Sequence, residues 1–233
     1  MVARLLGEVA VGLLCFGQMG HASTAQRYDA LSSTYDAENA AISAAMLGVS
    51  RLRAHAGSFV RGDTLEVAIG TGLQAPFYDW SEINSLTAID QSRGMLEKAH
   101  ERLEALPDRR GKPFKLETMD ATTLLFESNS FDSVVDTFSL CVIDDPFTTI
   151  QEMARVVKPR DGRVILVENL KSDNTLLGAI QDVTEPFITA TSRGKCRWNV
   201  DVQSMAHNAG LELEYSERES LGTLALQVFR KLL

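Results

Sequence analysis

Apolar residues in this chain fall into short, nearly unbroken runs separated by stretches with helical spacing. Thr64–Ile69, Ser85–Ile89, Phe114–Met119, Phe131–Phe138 and Arg163–Glu168 read as buried strands. Between them, Ser92–Leu106 places Met95, Leu96, Ala99 and Leu103 on one helical face and stops at Pro107. Phe147–Val157 is a second such helix, stopped by Lys158-Pro159. Apolar strands alternating with helices predict a parallel sheet covered on both faces. The ending departs from this pattern. After a helix near Val200–Ala209, Leu211–Ser216 and Thr223–Phe229 follow too closely for a parallel crossover. The predicted architecture is therefore α/β, with a seven-stranded, mostly parallel sheet, an antiparallel last strand and helices on both faces. Upstream, the Ala-rich stretch Tyr28–His55 predicts one or two helices ahead of the main domain.

Composition narrows the function. With 23 Lys+Arg against 31 Asp+Glu the net charge is −8, a poor balance for gripping nucleic acid phosphates. Cys15, Cys141 and Cys196 form no CxxC, which excludes a zinc ribbon or a disulfide scaffold and fits a reducing compartment. The four His are scattered without ligand spacing, so no metal is expected. Val9–Gly20 is an apolar run of about a dozen residues, short of the ~20 that span a bilayer. With Ser23-Thr24-Ala25 behind it, the segment 1–25 reads as a targeting or membrane-tethering segment. The competing reading is half of an ordinary packed helix.

The chemistry centres on Leu65-Glu66-Val67-Ala68-Ile69-Gly70-Thr71-Gly72, a strand closed by two glycines. Such glycines let backbone pass close to a ligand, and in open parallel sheets ligands sit beyond the carboxyl ends of the strands. Gly70-x-Gly72-x-x-Ala75 with Asp90 downstream also satisfies a loose dinucleotide fingerprint, which keeps an NAD-dependent oxidoreductase in view. Asp120-Ala121 after the third strand, Ser130-Phe131-Asp132 before the fourth and the hairpin ending argue against it.

Together with Tyr28-Asp29-x-Leu31-Ser32-x-x-Tyr35-Asp36, AIDQSRGMLEKA, EMARVVKPRDGRVILVE and Cys196-x-Trp198-Asn199, these stretches resemble the class I S-adenosylmethionine-dependent methyltransferases. The resemblance is to the branch of the ubiquinone/menaquinone C-methyltransferases, the membrane-associated thiol methyltransferases and the mitochondrial inner-membrane methyltransferase-like proteins. It implies a Rossmann-like fold, a helical lid over 26–60, a methyltransferase domain over 61–233, and S-adenosyl-L-methionine as cofactor. It implies that Glu66, Gly70 and Gly72 surround the methionine part and that Asp90 accepts from both ribose hydroxyls. Met95 would pack near the adenine, Asp120 and the Ala121 backbone would read its edge, and Tyr28 and Tyr35 would lie on the lid. It also implies a mitochondrial or membrane-associated location, the alternative being cytoplasmic.

The chain departs from the family pattern at Ala68, usually Gly, and at Leu125, usually Pro. Methyl transfer from a sulfonium needs positioning more than acid–base groups, so no shared triad is expected. Where a base is needed, the candidates are Cys141, Asp144, Glu168 and Asn199, although Cys141 also suits core packing and Asp144-Asp145 before Pro146 suits a helix cap. The expected activity is methyl transfer to a small, largely apolar acceptor such as a quinone precursor or a thiol. Its pocket is expected to be covered by the lid and by Ile180–Asn199, with Phe187, Ile188 and Trp198. The second function in view is a catalytically silent subunit or assembly factor of a larger complex.

Overall fold

β1 (Gly62–Val67) is buried on both sides, with Leu65 and Val67 on one and Thr64 and Glu66 on the other, and it takes an interior place in the sheet. The structure, a computed structural model, describes residues 22–45, 48–191 and 196–232. The strands β2 (Ile83–Asp90), β3 (Phe114–Thr118), β4 (Ser133–Thr137), β5 (Arg163–Asn169), β6 (Leu211–Glu219) and β7 (Leu224–Lys231) complete the order β3-β2-β1-β4-β5-β7-β6. Strands β1 to β5 are parallel, and β7 lies antiparallel between β5 and β6. Only the turn Ser220–Gly222 and Thr223 separate β6 from β7, which forces the hairpin the sequence predicts.

Seven helices complete the described residues: α1 (Thr24–Leu31), α2 (Tyr35–Ala45), α3 (Val49–Gly57), α4 (Arg93–Ala105), α5 (Pro146–Val156), α6 (Thr175–Thr191) and α7 (Val202–Asn208). The stretch expected to hold one or two helices therefore holds three. It breaks at Ser32–Thr34, where the Thr34 N–H turns back to the Leu31 carbonyl, and at Gly48, whose φ of 101° ends helical geometry. Most of the segment 1–25 lies outside the described residues. Its last part is structural: Ser23 and Gln26 form a reciprocal capping box that starts α1.

Alternating side chains send Val134, Val164 and Leu166 to one face, against Ile150 and Met153 of α5 and Val202 and Ala206 of α7. Val135, Ile165 and Val167 go to the other face, against Leu52 and Ala56 of α3 and Leu96, Ala99 and Leu103 of α4. Thus α3 is part of the helical layer of the sheet, while α1 and α2 lie at the carboxyl ends of the strands, where the candidate site is.

Candidate active site

The strand order reverses between β1 and β4, and a cavity of about 280 Å³ opens there beyond the strand ends. Its walls come from the loops after β1, β2, β3 and β4 and from α1 and α2.

The loop after β1 turns sharply. Ala68, Gly70 and Gly72 all have positive φ, at 50°, 57° and 78°. A Cβ on Gly70 would meet nothing within 4 Å, so backbone at this position faces open space. The Gly70 N–H donates to Asp90 Oδ2 at 2.9 Å, and the Ser92 N–H donates to Asp90 Oδ1 at 2.9 Å. One carboxylate thus joins the first loop to the second while still lining the cavity. Burial pushes its pKa up, and the two N–H donors oppose that. In the loop after β3, Asp120 Oδ1 accepts from both the N–H and the hydroxyl of Thr122, at 2.8 Å each, and Ala121 is buried beside it.

The first two helices are tied down by two aspartates. Asp29 accepts from the Ser92 hydroxyl at 2.5 Å and from the Gly94 N–H at 2.9 Å, which holds its carboxyl below the usual range. Asp36 accepts from the Thr71 hydroxyl at 2.6 Å and pairs with Arg102 at 2.6 Å. Each aspartate directly follows a tyrosine, and Tyr28 and Tyr35 meet edge to face over the cavity with centroids 6.0 Å apart. Burial raises both phenol pKa values.

Arg53 is the lining residue that sequence reasoning missed. It is only 8% exposed, sits over the Phe138 ring at 5.1 Å, and donates to Thr137 Oγ1 at 3.2 Å and Gln74 Oε1 at 3.4 Å. Among the described residues it makes no ion pair; the nearby Glu66 carboxyl instead accepts from the Tyr78 hydroxyl at 2.7 Å. A buried, unpaired guanidinium facing a cavity is a site for an anion. Its only sequence signal was a helical phase that directs it under the loop after β1.

Of the expected cofactor residues, Gly70, Asp90, Asp120, Ala121, Tyr28 and Tyr35 line the cavity together. Three others lie behind it. Glu66 is buried one layer down, Met95 is in the α4 core, and the missing Cβ of Gly72 points at Ala99 of α4. Of the candidate bases only Asp144 lines the cavity. Cys141 is 2% exposed. Glu168 is buried, accepting from the N–H groups of Ser139 and Leu140. Asn199 donates to Asp182 at 3.2 Å instead. The expected second cover is also corrected: Phe187 is 55% exposed, and the described residues of Ile180–Asn199 line no part of the cavity, which Val142 and Ile143 wall instead.

A family model described as a methyltransferase domain matches residues 65–166. The chain is 31% identical over 176 residues to the mitochondrial methyltransferase OMS1 of Saccharomyces cerevisiae, covering 70% of this chain and 37% of that one. It is 36% identical over 126 residues to phosphatidylethanolamine N-methyltransferase of Cereibacter sphaeroides, covering 54% and 60%. It is 35% identical over 145 residues to demethylmenaquinone methyltransferase of Clavibacter sepedonicus, covering 60% and 56%. Residues 65–166 of the chain form a methyltransferase domain of the S-adenosylmethionine-dependent kind. The chain spans less than two thirds of the length of each of these relatives. The methyltransferase fold is shared with a Haloferax volcanii chain solved in complex with the Trm112 methyltransferase activator, at TM-score 0.66 and 16% identity, covering 88% of this chain and 98% of that one. S-adenosyl-L-methionine is the cofactor of this family. The methyltransferase site suits it in three respects: an unpaired buried cation, open space above Gly70, and a carboxylate on the cavity wall at the end of β2. Among the described residues no cluster could hold a metal ion, and no helix is long and apolar enough to cross a membrane.

Proposed function

We propose that this chain transfers a methyl group from S-adenosyl-L-methionine to a small, largely apolar acceptor. The observation that carries the reading is the pairing of Asp90, bridging two loops at one end of the cavity, with the unpaired Arg53 beside the β1 loop. Asp90 would accept from the ribose hydroxyls, Asp120 from the adenine amino group, and Arg53 would take the methionine carboxylate. Gly70 would let that end of the cofactor approach backbone. When bound, the cofactor supplies an activated methyl group on a sulfonium.

The chain's own task is then to orient the acceptor and exclude water. Tyr28, Tyr35, Phe138, Val142 and Ile143 supply an apolar wall with phenol hydroxyls as anchors. Asp144 at the rim is the one candidate base in reach, which favours acceptors that ionise readily, such as thiols and quinols. The printed names of two relatives, one acting on a phospholipid and one on a menaquinone precursor, fit an apolar acceptor. A mitochondrial location draws on the name of the yeast relative, and a tether on the sequence of 1–25.

Calorimetry with adenosylmethionine and adenosylhomocysteine tests the binding half, and a radiolabelled methyl-donor screen over thiols, quinols and phosphatidylethanolamine tests the transfer half. Binding with Asp90→Ala weakened by about 1.5–3 kcal/mol is expected. No binding by the wild type would sink the reading. Binding without transfer to any acceptor would move the chain to the silent-subunit reading.

A further inference from the structure

Cys141 and Cys196 are far apart in sequence and adjacent in the fold. Cys141 lies in the loop after β4, is 2% exposed, and has its Sγ 3.9 Å from the Phe138 carbonyl. Cys196 is half-buried, with Asn169 Nδ2 3.9 Å from its Sγ. The two thiols lie close enough to influence each other's ionisation, and neither is in a disulfide. Backbone holds them there. The Arg197 N–H donates to the Cys141 carbonyl at 2.9 Å, and the Arg197 guanidinium donates to the carbonyls of Leu140, Cys141 and Ile143. Two chain segments are therefore joined at the cysteines, one of them carrying Val142 and Ile143 of the cavity wall.

We propose that Cys141 and Cys196 are a reversible disulfide-forming pair, oxidised by a small-molecule disulfide such as oxidised glutathione, and that the bond clamps the segment 196–199 onto the cavity wall. Cys196 is the attacking thiol. It is the more accessible, and the neighbouring Cys141 thiol together with the Arg197 charge lowers its pKa. Cys141 is the resolving thiol, its pKa raised by the neighbouring Cys196 and by burial.

Cys196 loses its proton to solvent, and its sulfur attacks one sulfur of the oxidised glutathione. The glutathione S–S bond breaks, and one glutathione leaves as thiolate and takes a proton. Cys141 then loses its proton and attacks the Cys196 sulfur of the mixed disulfide, expelling the second glutathione. Two protein thiols are oxidised and one small disulfide is reduced to two thiols. Oxidation of this kind, in a compartment that otherwise keeps thiols reduced, is transient and suited to regulation.

The test is to incubate the full chain with excess oxidised glutathione, block remaining thiols, digest without reduction and map peptides by mass spectrometry. One Cys141–Cys196 cross-link is expected, removed by dithiothreitol, with Cys15 still blocked as a thiol. Cys141→Ala is expected to stop at a glutathione adduct on Cys196, and Cys196→Ser to leave Cys141 a thiol. Amide hydrogen exchange at Val142 and Ile143 is expected to slow on oxidation of the wild type and not of Cys196→Ser. Linkage through Cys15, a Cys141 that stays open to blocking, or a cross-link that leaves those exchange rates unchanged would each overturn the proposal.

Discussion

Ala68 stands where the family resemblance leads one to expect Gly, and its φ of 50° is a conformation that favours glycine. A Cβ in the left-handed region costs roughly 1–2 kcal/mol, of which glycine's greater unfolded-state entropy takes back about 0.5–1. Ala68→Gly is therefore expected to stabilise the chain by about 0.5–1 kcal/mol in urea unfolding, while the cavity gains a methyl's worth of room. An unchanged or lower midpoint would show that the loop has relaxed around the methyl. Phe138 at the end of β4 has φ 63°, so both strands flanking the reversal point end in a strained residue. Arg53 permits a sharper experiment. Replacing it with Met keeps bulk beneath Phe138 but removes the charge. Loss of a charged hydrogen bond, about 1.5–3 kcal/mol, predicts adenosylhomocysteine binding weaker by about 10- to 100-fold. Methylthioadenosine, which lacks the amino-acid carboxylate, should bind Arg53→Met and wild type alike. Equal losses for both ligands would remove Arg53 from carboxylate recognition.

At the scale of elements, the repeat Tyr28-Asp29 and Tyr35-Asp36 gives each lid helix one residue for the cavity and one for anchorage. Asp36 reaches both Thr71 in the glycine loop and Arg102 on α4, so α2 is coupled to the loop that lines the cavity. Asp36→Asn retains an acceptor for Thr71 and loses the charge for Arg102. The ion pair is partly exposed, so its effect on overall stability should be slight. Cofactor dissociation, measured by stopped flow, should speed up several-fold as the lid loosens; unchanged dissociation with a lowered Tm would make the tie purely structural. These elements were unequally legible in the sequence. The strands and α4 were plain because apolar runs and the Met95, Leu96, Ala99 and Leu103 face report burial directly. Asp90, Asp120 and the glycines could be read because they occupy strand ends, which chain order alone identifies. Arg53 could not, because its role arises where α3 packs beside the loop after β4, a contact between distant segments. The α6 helix was hidden by its outer face, where Leu176, Val183 and Phe187 are exposed and mimic a pocket lining. Glu66 was placed by the family resemblance beside the methionine part of the cofactor, but the strand's alternation turns it toward Tyr78.

The whole molecule concentrates buried acids at the carboxyl end of its sheet, and this shapes its response to pH. Burial raises the pKa of Glu66 to about 7 and of Asp136 to about 6, and burial together with the neighbouring Asp136 also raises Glu168. For a carboxyl whose folded pKa lies above its unfolded value, the folded state binds the proton more tightly. The stabilisation is fully present below the unfolded value and is lost as pH rises through the folded one. For Glu66 the window runs from its ordinary 4.5 to about 7. A shift of that size is worth roughly 3 kcal/mol, a quantity that applies because the side chain is fully buried. Carboxylates with lowered pKa, such as Asp29 and Glu152, act in the opposite sense and lose their contribution as pH falls; Asp29 is exposed, so its share is small. The chain is therefore expected to lose stability between pH 5 and pH 8. Glu66→Gln isolates the cause: it keeps an oxygen for the Tyr78 hydroxyl and cannot ionise. Urea unfolding at the two pH values should show a wild-type loss exceeding that of Glu66→Gln by about 2–3 kcal/mol, the remainder coming from Asp136 and Glu168. If the two proteins lose stability equally, Glu66 is ionised at neutral pH. Its charge would then be balanced by Arg53, leaving that cation less able to attract a carboxylate in the cavity.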